Sequence, residues 1–355
     1  MEQSANKWEV RSMHLNDRKI RVLQAIIQDY IDTAEPVGSR TLSRKYSLGV
    51  SPATIRNEMS DLEELGYLTQ PHTSSGRVPS DKGYRLYVDN LMEIKVIADL
   101  QRRNIKANLL KQFGEVEQLL QYSSRIISQL TNYTSAVLTP QIKDDKIRHI
   151  QLIPMDTKKI IAVMITDTGM IKNHIINVKE GIDFEQTEKV TNLLNNRLQG
   201  MAIKDIEMTM LDNLKKELYE FNTLIEAITP KLFKALEDIE DVELFLSGTT
   251  NIFDFPEYND IFKAKNFLTL LEDKEIIMDL ISSTGNKGID ISIGSENIYE
   301  EVRDCSIVTA TYKIKGNLVG KLSVIGPTRM DYSNVVGVMN QISRYINELL
   351  RSRYR

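Results

Sequence analysis

Cysteine is nearly absent from this chain of 355 residues, where Cys305 stands alone. A single thiol excludes an internal disulfide and fits a reducing compartment, so the expected location is cytoplasmic. Histidine is scarce too: His14, His72, His149 and His174 are scattered, with no pair at metal-ligand spacing. No metal and no other cofactor is therefore expected. Long apolar runs are missing. The longest, 160–165, falls far short of the roughly 20 residues that span a bilayer, so no membrane partner is expected. The first residues are polar and charged, unlike a secretory signal. Paired acids and nucleophile motifs are also missing, which argues against an enzyme. Gly316-Asn-Leu-Val-Gly-Lys321 approaches a phosphate loop, but it is one residue short, ends in Leu322, and reads as a hairpin. Ser247 to Asn251 could hold an anion on backbone N–H groups, although a structural turn is the preferred reading. Cys305 has no base visible beside it and reads as a packed thiol.

Excess positive charge is a further absence. Lys and Arg number 45 against 49 Asp and Glu, a formal net charge of −4. A nonspecific nucleic-acid coat is excluded; a specific reader with a local cationic patch is not. The length is ample for two or three domains.

Positive charge is instead segregated. Between 36 and 57 stand Arg40, Arg44, Lys45 and Arg56 and no acid, while acids cluster before (Asp29, Asp32, Glu35) and after (Glu58, Asp61, Glu63, Glu64). The same stretch, continued to 89, is written as a winged helix-turn-helix. Asn16 can cap a first helix whose Ile20, Leu23, Ile27, Tyr30 and Ile31 make a buried stripe, stopped by Pro36. Ser39 is expected to cap a second, with Leu42 and Tyr46 inward. Ser51 caps a third, Pro52 takes its first position and Gly66 ends it. Ile55, Met59, Leu62 and Leu65 share its core face. Ala53, Asn57, Ser60 and Glu64 lie opposite, with Arg56 on the flank. Early residues of such a helix meet base edges: Asn suits adenine, Arg suits guanine, and an Ala methyl suits a thymine methyl. Residues 70–79 form the wing, and Ser80 caps a following helix. The DNA-facing set is Ser39, Arg40 and Arg44 on the second helix; Ser51, Ala53, Thr54, Arg56, Asn57 and Ser60 on the third; and His72, Ser75 and Arg77 on the wing. His72 reads either as a phosphate contact or as a solvated turn residue. Arg77 suits a phosphate or the minor groove.

Beyond the reader, 100–130 reads as one long core-facing helix rather than a coiled-coil seam. Residues 146–178 read as three strands rich in branched side chains, followed by helices at 183–200 and 205–236. A buried strand at 242–246, an amphipathic helix at 263–281, strands at 290–293, 306–314 and 318–325, and a last helix from Asp331 or Ser333 complete the chain. The late arginines Arg351, Arg353 and Arg355 complement the last helix dipole.

These residues resemble the heat-inducible transcription repressor family, HrcA. The matching stretches are Ser51-Pro-Ala-Thr-Ile-Arg-Asn57, Leu65-Gly-Tyr-Leu68, His72-Thr-Ser-Ser-Gly-Arg77 and Gly83-Tyr-Arg85. They continue with Phe245-Leu-Ser-Gly-Thr-Thr-Asn-Ile-Phe253, Pro256-Glu-Tyr258, Ile293-Gly-Ser-Glu-Asn297, Asp304-Cys-Ser306 and Ile325-Gly-Pro-Thr-Arg-Met-Asp-Tyr332. The resemblance implies an α+β multidomain fold: an N-terminal winged helix-turn-helix at 16–98, a discontinuous GAF-like domain at 99–140 and 241–355, and an inserted α/β dimerising domain at 141–240. Met1 to His14 precede the family's usual beginning, Met13 could be the usual initiator, and the extension at 1–15 is expected to be disordered. The resemblance also implies a homodimer that represses chaperone operons on double-stranded DNA carrying the CIRCE inverted repeat, kept active by the GroE chaperonin. The main alternative is a metabolite-responsive regulator whose GAF-like half binds a small molecule. An enzyme tethered to DNA is the weakest reading.

Overall fold

The computed structural model describes residues 15–71, 76–111, 116–139, 145–167, 169–178, 184–206, 228–231, 234, 242–285, 288–314 and 318–353. The extension at 1–14, the wing residues His72 and Ser75, the Gly316-Asn317 turn and most of the expected 205–236 helix lie outside the described residues.

Three helices open the fold: α1 (Asp17–Thr33), α2 (Ser39–Lys45) and α3 (Pro52–Glu64). Asn16 caps α1 by accepting from the Lys19 N–H at 2.8 Å. Val22, Leu23, Ile26 and Ile27 are wholly buried. The helix stops at Ala34, left-handed at φ 58°, ahead of Pro36. The cap of α2 is Gly38 rather than Ser39. Its extended backbone makes the turn without a side-chain bond, and Ser39 becomes the first helical residue. Ser51 caps α3 as expected, accepting from the Thr54 N–H at 3.2 Å. Ile55, Met59 and Leu62 are buried, but Leu65 is 37% exposed. The reason is geometric: α3 ends at Glu64 and the chain leaves its axis through Gly66, at φ 77°.

A short antiparallel ribbon follows, β1 (Leu68–Thr69) with β2 (Val78–Pro79). Val37 and Arg77 exchange two backbone hydrogen bonds of 2.9 Å, which fasten the ribbon to the segment between α1 and α2. Ser80 caps α4 (Asp81–Leu86), which runs into a π-type turn at Tyr87–Leu91.

The expected 100–130 helix is described as α5 (Asp99–Lys111) and α6 (Val116–Thr131). Leu119, Leu120 and Ile127 of α6 are wholly buried. Ser123 stays on that buried face because its hydroxyl donates to the Leu119 carbonyl at 2.7 Å. Strand β3 (Thr134–Leu138) follows.

A separate meander comes next: β4 (Ile147–Asp156), β5 (Lys159–Thr166) and β6 (Ile171–Asn177), antiparallel with β5 central. Alternation buries Ile160, Ala162 and Met164 toward α7 (Phe184–Leu198), which contributes Val190, Leu194 and Leu198. Asn195 clamps α7 to β4, donating to the Ile150 carbonyl at 2.7 Å and accepting from its N–H at 2.9 Å.

The chain then returns to the first sheet. Strands β7 (Leu244–Ser247), β8 (Ile289–Ile293), β9 (Cys305–Ile314) and β10 (Leu318–Pro327) join β3 in the order β7-β3-β10-β9-β8, with every pairing antiparallel. The expected 263–281 helix is two, α8 (Ile261–Glu272) and α9 (Lys274–Ser282). Asp273 divides them by capping α9 through the Ile276 N–H at 3.2 Å. The period-2 pattern separates two cores. Val137, Val308 and Val324 face α6 and α10 (Tyr332–Arg353), while Leu138, Ile307 and Ile325 face α8 and α9. Strand β7, expected to be buried, is half-buried at the sheet edge. No described helix is long and apolar enough to cross a membrane.

Candidate nucleic-acid interface

The third helix carries the site. Its Ser51 cap and Pro52 set the first turn, and the burial of Ile55, Met59 and Leu62 turns the opposite face to solvent. Ser51, Ala53, Arg56, Asn57 and Ser60 are exposed on that face and Thr54 is half-buried. From α2, Arg40 and Arg44 are exposed and Ser39 is half-buried. Lys45 is taken up differently, in an ion pair with buried Asp29 at 2.5 Å that raises the lysine pKa. The exposed cations of this surface are thus Arg40, Arg44 and Arg56, and none of them makes an ion pair among the described residues.

Other charges that looked available are committed inward. Arg77 turns back onto α3, its Nε donating to Glu63 Oε2 at 2.7 Å. This locks the base of the ribbon against the helix and neutralises Glu63. Lys82 donates to the Leu65 carbonyl at 2.6 Å and lies over the Tyr67 ring, closing the C-terminal end of α3.

Glu58, one of the acids that follow the basic stretch in the sequence, lies on the core side of α3. It is 7% exposed and pairs with Lys19 at 3.0 Å and Arg18 at 3.4 Å, while Lys19 also reaches Asp61 at 2.9 Å. Hydrogen bonding to Asp61 and Glu58 raises the Lys19 pKa. These pairs brace α3 against α1 and hold its acids away from the Ala53–Asn57 surface. A helical wheel offers one signal: Glu58 falls three residues after Ile55 and four before Leu62, on the core stripe.

Among the described residues no group of three or more His, Cys, Asp or Glu side chains is placed to hold a metal. Cys305 is buried and faces the Tyr258 hydroxyl at 3.3 Å, and burial pushes its thiol up to about 11. Gly316 and Asn317 lie outside the described residues, but the strands they join pair as an antiparallel hairpin. At the 247–251 turn the Asn251 amide donates to Ser128 Oγ at 3.0 Å, a packing role.

Comparison with known proteins places this architecture. The family described as "HrcA protein C terminal domain" matches residues 117–336. A heat-inducible transcription repressor HrcA from Alkaliphilus metalliredigens is 57% identical over 343 residues, covering 97% of this chain and 100% of that one. One of the same name from Clostridioides difficile is 44% identical over 338 residues, covering 94% and 99%. A solved structure, described as that of a hypothetical protein at 2.2 Å resolution, matches with a TM-score of 0.71 at 25% identity, covering 95% of this chain and 99% of that chain. The class is that of the transcription repressors. The chain belongs to the HrcA family of heat-inducible transcription repressors.

Proposed function

We propose that this chain binds a CIRCE-type inverted repeat in double-stranded DNA as a homodimer, represses chaperone and chaperonin operons, and depends on the GroE chaperonin for its active fold. Helices α1 to α3 with the β1–β2 ribbon are the winged helix-turn-helix, and α3 enters the major groove. The observation that carries this reading is the solvent-facing row Ala53, Arg56, Asn57 and Ser60 beside Arg40 and Arg44, with no acid between 36 and 57. Arg56 and Asn57 read base edges, while Arg40, Arg44, Ser39, Ser51 and Thr54 approach phosphates. On the wing, Arg77 fixes the approach angle through Glu63, and phosphate contacts from His72 and Ser75, which fall outside the described residues, are proposed from the sequence alone.

The five-stranded sheet with its flanking helices serves as the GAF-like domain, and the β4–β6 meander with α7 as the inserted dimerising domain. Support for the second role comes from the face of the meander turned away from α7. Ile153, Ile161 and Ile175 stand side by side across its three strands, with Ile153 45% and Ile175 58% exposed. An outer sheet face is ordinarily polar, and an apolar one suits a twofold partner of the same chain. Heat enters through competition: unfolded chains occupy the chaperonin, and the folded repressor population falls. Phe253, Ile261 and Phe262, 55%, 79% and 78% exposed, are apolar surface of the kind a chaperonin takes up.

The test is a titration onto the inverted repeat and a scrambled control, over several salt concentrations and temperatures, with and without chaperonin. Tight, palindrome-dependent binding that falls on warming and recovers with chaperonin is expected; equal binding to both DNAs would sink the reading. A second reading, a metabolite-responsive regulator, is favoured by a cleft of about 530 Å³ between α8 and the 300–305 segment, lined by Asp273, Glu300, Glu301 and Asp304 as well as Lys263. Ligand-dependent melting across a cationic metabolite panel separates the two.

A further inference from the structure

Three late motifs have no place in the DNA-facing surface: Pro256-Glu-Tyr258, Ile293-Gly-Ser-Glu-Asn297 and Ile325 to Tyr332. In space they converge on one joint, where the N-terminal helices meet the five-stranded sheet. Arg329, only 7% exposed, is forked by Glu257: its Nη2 donates to Oε2 at 3.1 Å and its Nε to Oε1. The remaining Nη1 donates to the Ile31 carbonyl at 2.9 Å. That carbonyl lies in the last turn of α1, so a cation from the sheet domain caps a helix of the reader.

A second grip lies on α4. Asp81 accepts from both the N–H and the hydroxyl of Ser295, at 2.8 and 2.7 Å. Gly294 leaves room for it, since a Cβ there would fall 2.4 Å from Asp81 Oδ1. One turn on, Arg85 donates to both carboxylate oxygens of Glu296 (Nε to Oε1 at 2.8 Å) and to the Ile291 carbonyl at 2.5 Å. Between the two grips Tyr84 packs its ring on Tyr332, centroids 5.9 Å apart. A third grip fastens the segment leaving the reader. The Lys95 N–H donates to Ser333 Oγ at 3.1 Å and its ammonium to Asp331 at 2.6 Å, and Gly337 lets the Lys95 carbonyl approach to 2.1 Å of where a Cβ would stand.

We infer that Arg329, the α4 pair Asp81 and Arg85, and Lys95 are positioning residues. They form a three-point joint that fixes the orientation of each DNA-reading unit on its sheet domain, and through it the half-site spacing the dimer accepts. Three separate attachments restrict the rotational freedom that a single linker leaves. A reader fixed in this way cannot follow a half-site that moves around the helix, and half-sites turn through a full circle in about 10 base pairs. The inference rests on the DNA-binding reading above.

The experiment measures affinity of the full-length dimer for inverted repeats whose spacer is lengthened or shortened by one to five base pairs. It compares the wild type with Arg329→Gln and with the more exposed pair Asp81→Ala/Arg85→Ala. Dimer mass and the thermal melt are recorded for each protein, and Arg329→Gln is set aside for the pair if it does not fold. The wild type is expected to prefer one spacing at least about tenfold over a spacer changed by five base pairs, and the variants to flatten that preference to about threefold or less. A spacing profile identical to wild type in a folded variant, whatever the overall affinity, overturns the joint as a positioning device. Failure of the wild type to distinguish any inverted repeat from the scrambled control is a different result: it overturns the DNA-binding reading, and the spacing role falls with it.

Discussion

Thr139 and Glu243 hold each other at the mouth of the excursion that separates β3 from β7. The Thr139 N–H donates to the Glu243 carbonyl at 3.0 Å, and the Glu243 N–H donates to Thr139 Oγ1 at 2.8 Å. The chain therefore leaves and re-enters the five-stranded sheet at adjacent points, and β3 and β7 pair antiparallel directly below. Replacing 141–241 by a linker of about four Gly and Ser residues should leave that sheet and its two cores folded, because paired strands stand only about 5 Å apart. The variant should unfold cooperatively and run as a monomer by analytical ultracentrifugation. A non-cooperative melt would show that the meander is part of the main core rather than an insert.

The α3 surface yields a prediction with two parts. Arg56→Ala and Asn57→Ala should each weaken binding to the inverted repeat by about 5- to 150-fold while leaving nonspecific binding nearly intact. Arg40→Ala and Arg44→Ala should weaken binding to all sequences alike and lower the log–log salt slope by about one each. All four side chains are exposed, so melts should stay within about 0.5 kcal/mol of wild type. Unchanged operator affinity in both Arg56→Ala and Asn57→Ala would remove α3 from the groove.

Much of this arrangement was legible in the chain itself, for reasons that individual residues show. Asn16, Ser51 and Ser80 act through bonds to residues three positions away, and Pro52 through its own fixed backbone, so these helix starts follow from local sequence. The 160–165 run and the 306–314 strand announce themselves by branched, alternating side chains. Three features were hidden for physical reasons. Gly38 took the cap position from Ser39 because backbone geometry alone made the turn. Asp273 split an amphipathic helix whose apolar spacing continued across the break. Arg77 looked like a nucleic-acid contact and Arg85 like a surface flank, yet their partners Glu63 and Glu296 lie 14 and 211 positions away. A single sequence carries no signal for a pairing at that distance.

The outer face of the meander should decide the oligomeric state. Ile175→Asp and Ile161→Asp place a carboxylate among Ile153, Ile161 and Ile175, the apolar row assigned to the partner copy. Both variants are expected to halve the mass in solution and to lose most of the palindrome-dependent affinity, since one reader can engage only one half-site. Ile160→Asp is the control. Ile160 is wholly buried under α7, so that change should unfold the meander instead. Folded Ile161→Asp and Ile175→Asp proteins that remain dimeric would move the interface to another surface.

Cys305 should behave as a silent thiol. It is 2% exposed and hydrogen-bonded to Tyr258, and burial pushes its pKa up to about 11 against the ordinary value near 9, outweighing the opposing pull of the Tyr258 bond. The folded chain thus holds this proton more tightly than the unfolded chain does. The resulting stabilisation is complete below about pH 9 and is lost as pH rises through about 11. Reactivity follows the same difference. At pH 8 the thiolate fraction in the folded protein is about 100-fold below that of the unfolded chain, and burial slows the attack further. Labelling with a disulfide reagent at pH 8 should therefore be at least about 100-fold slower in native buffer than in concentrated urea. A native rate within tenfold of the unfolded one would mean that the contact of the Pro256–Tyr258 turn with β9, between Tyr258 and Cys305, opens readily. The 530 Å³ cleft that these two residues help to line would then be wider in solution, and the ligand-binding reading would gain weight over a purely structural role for this face.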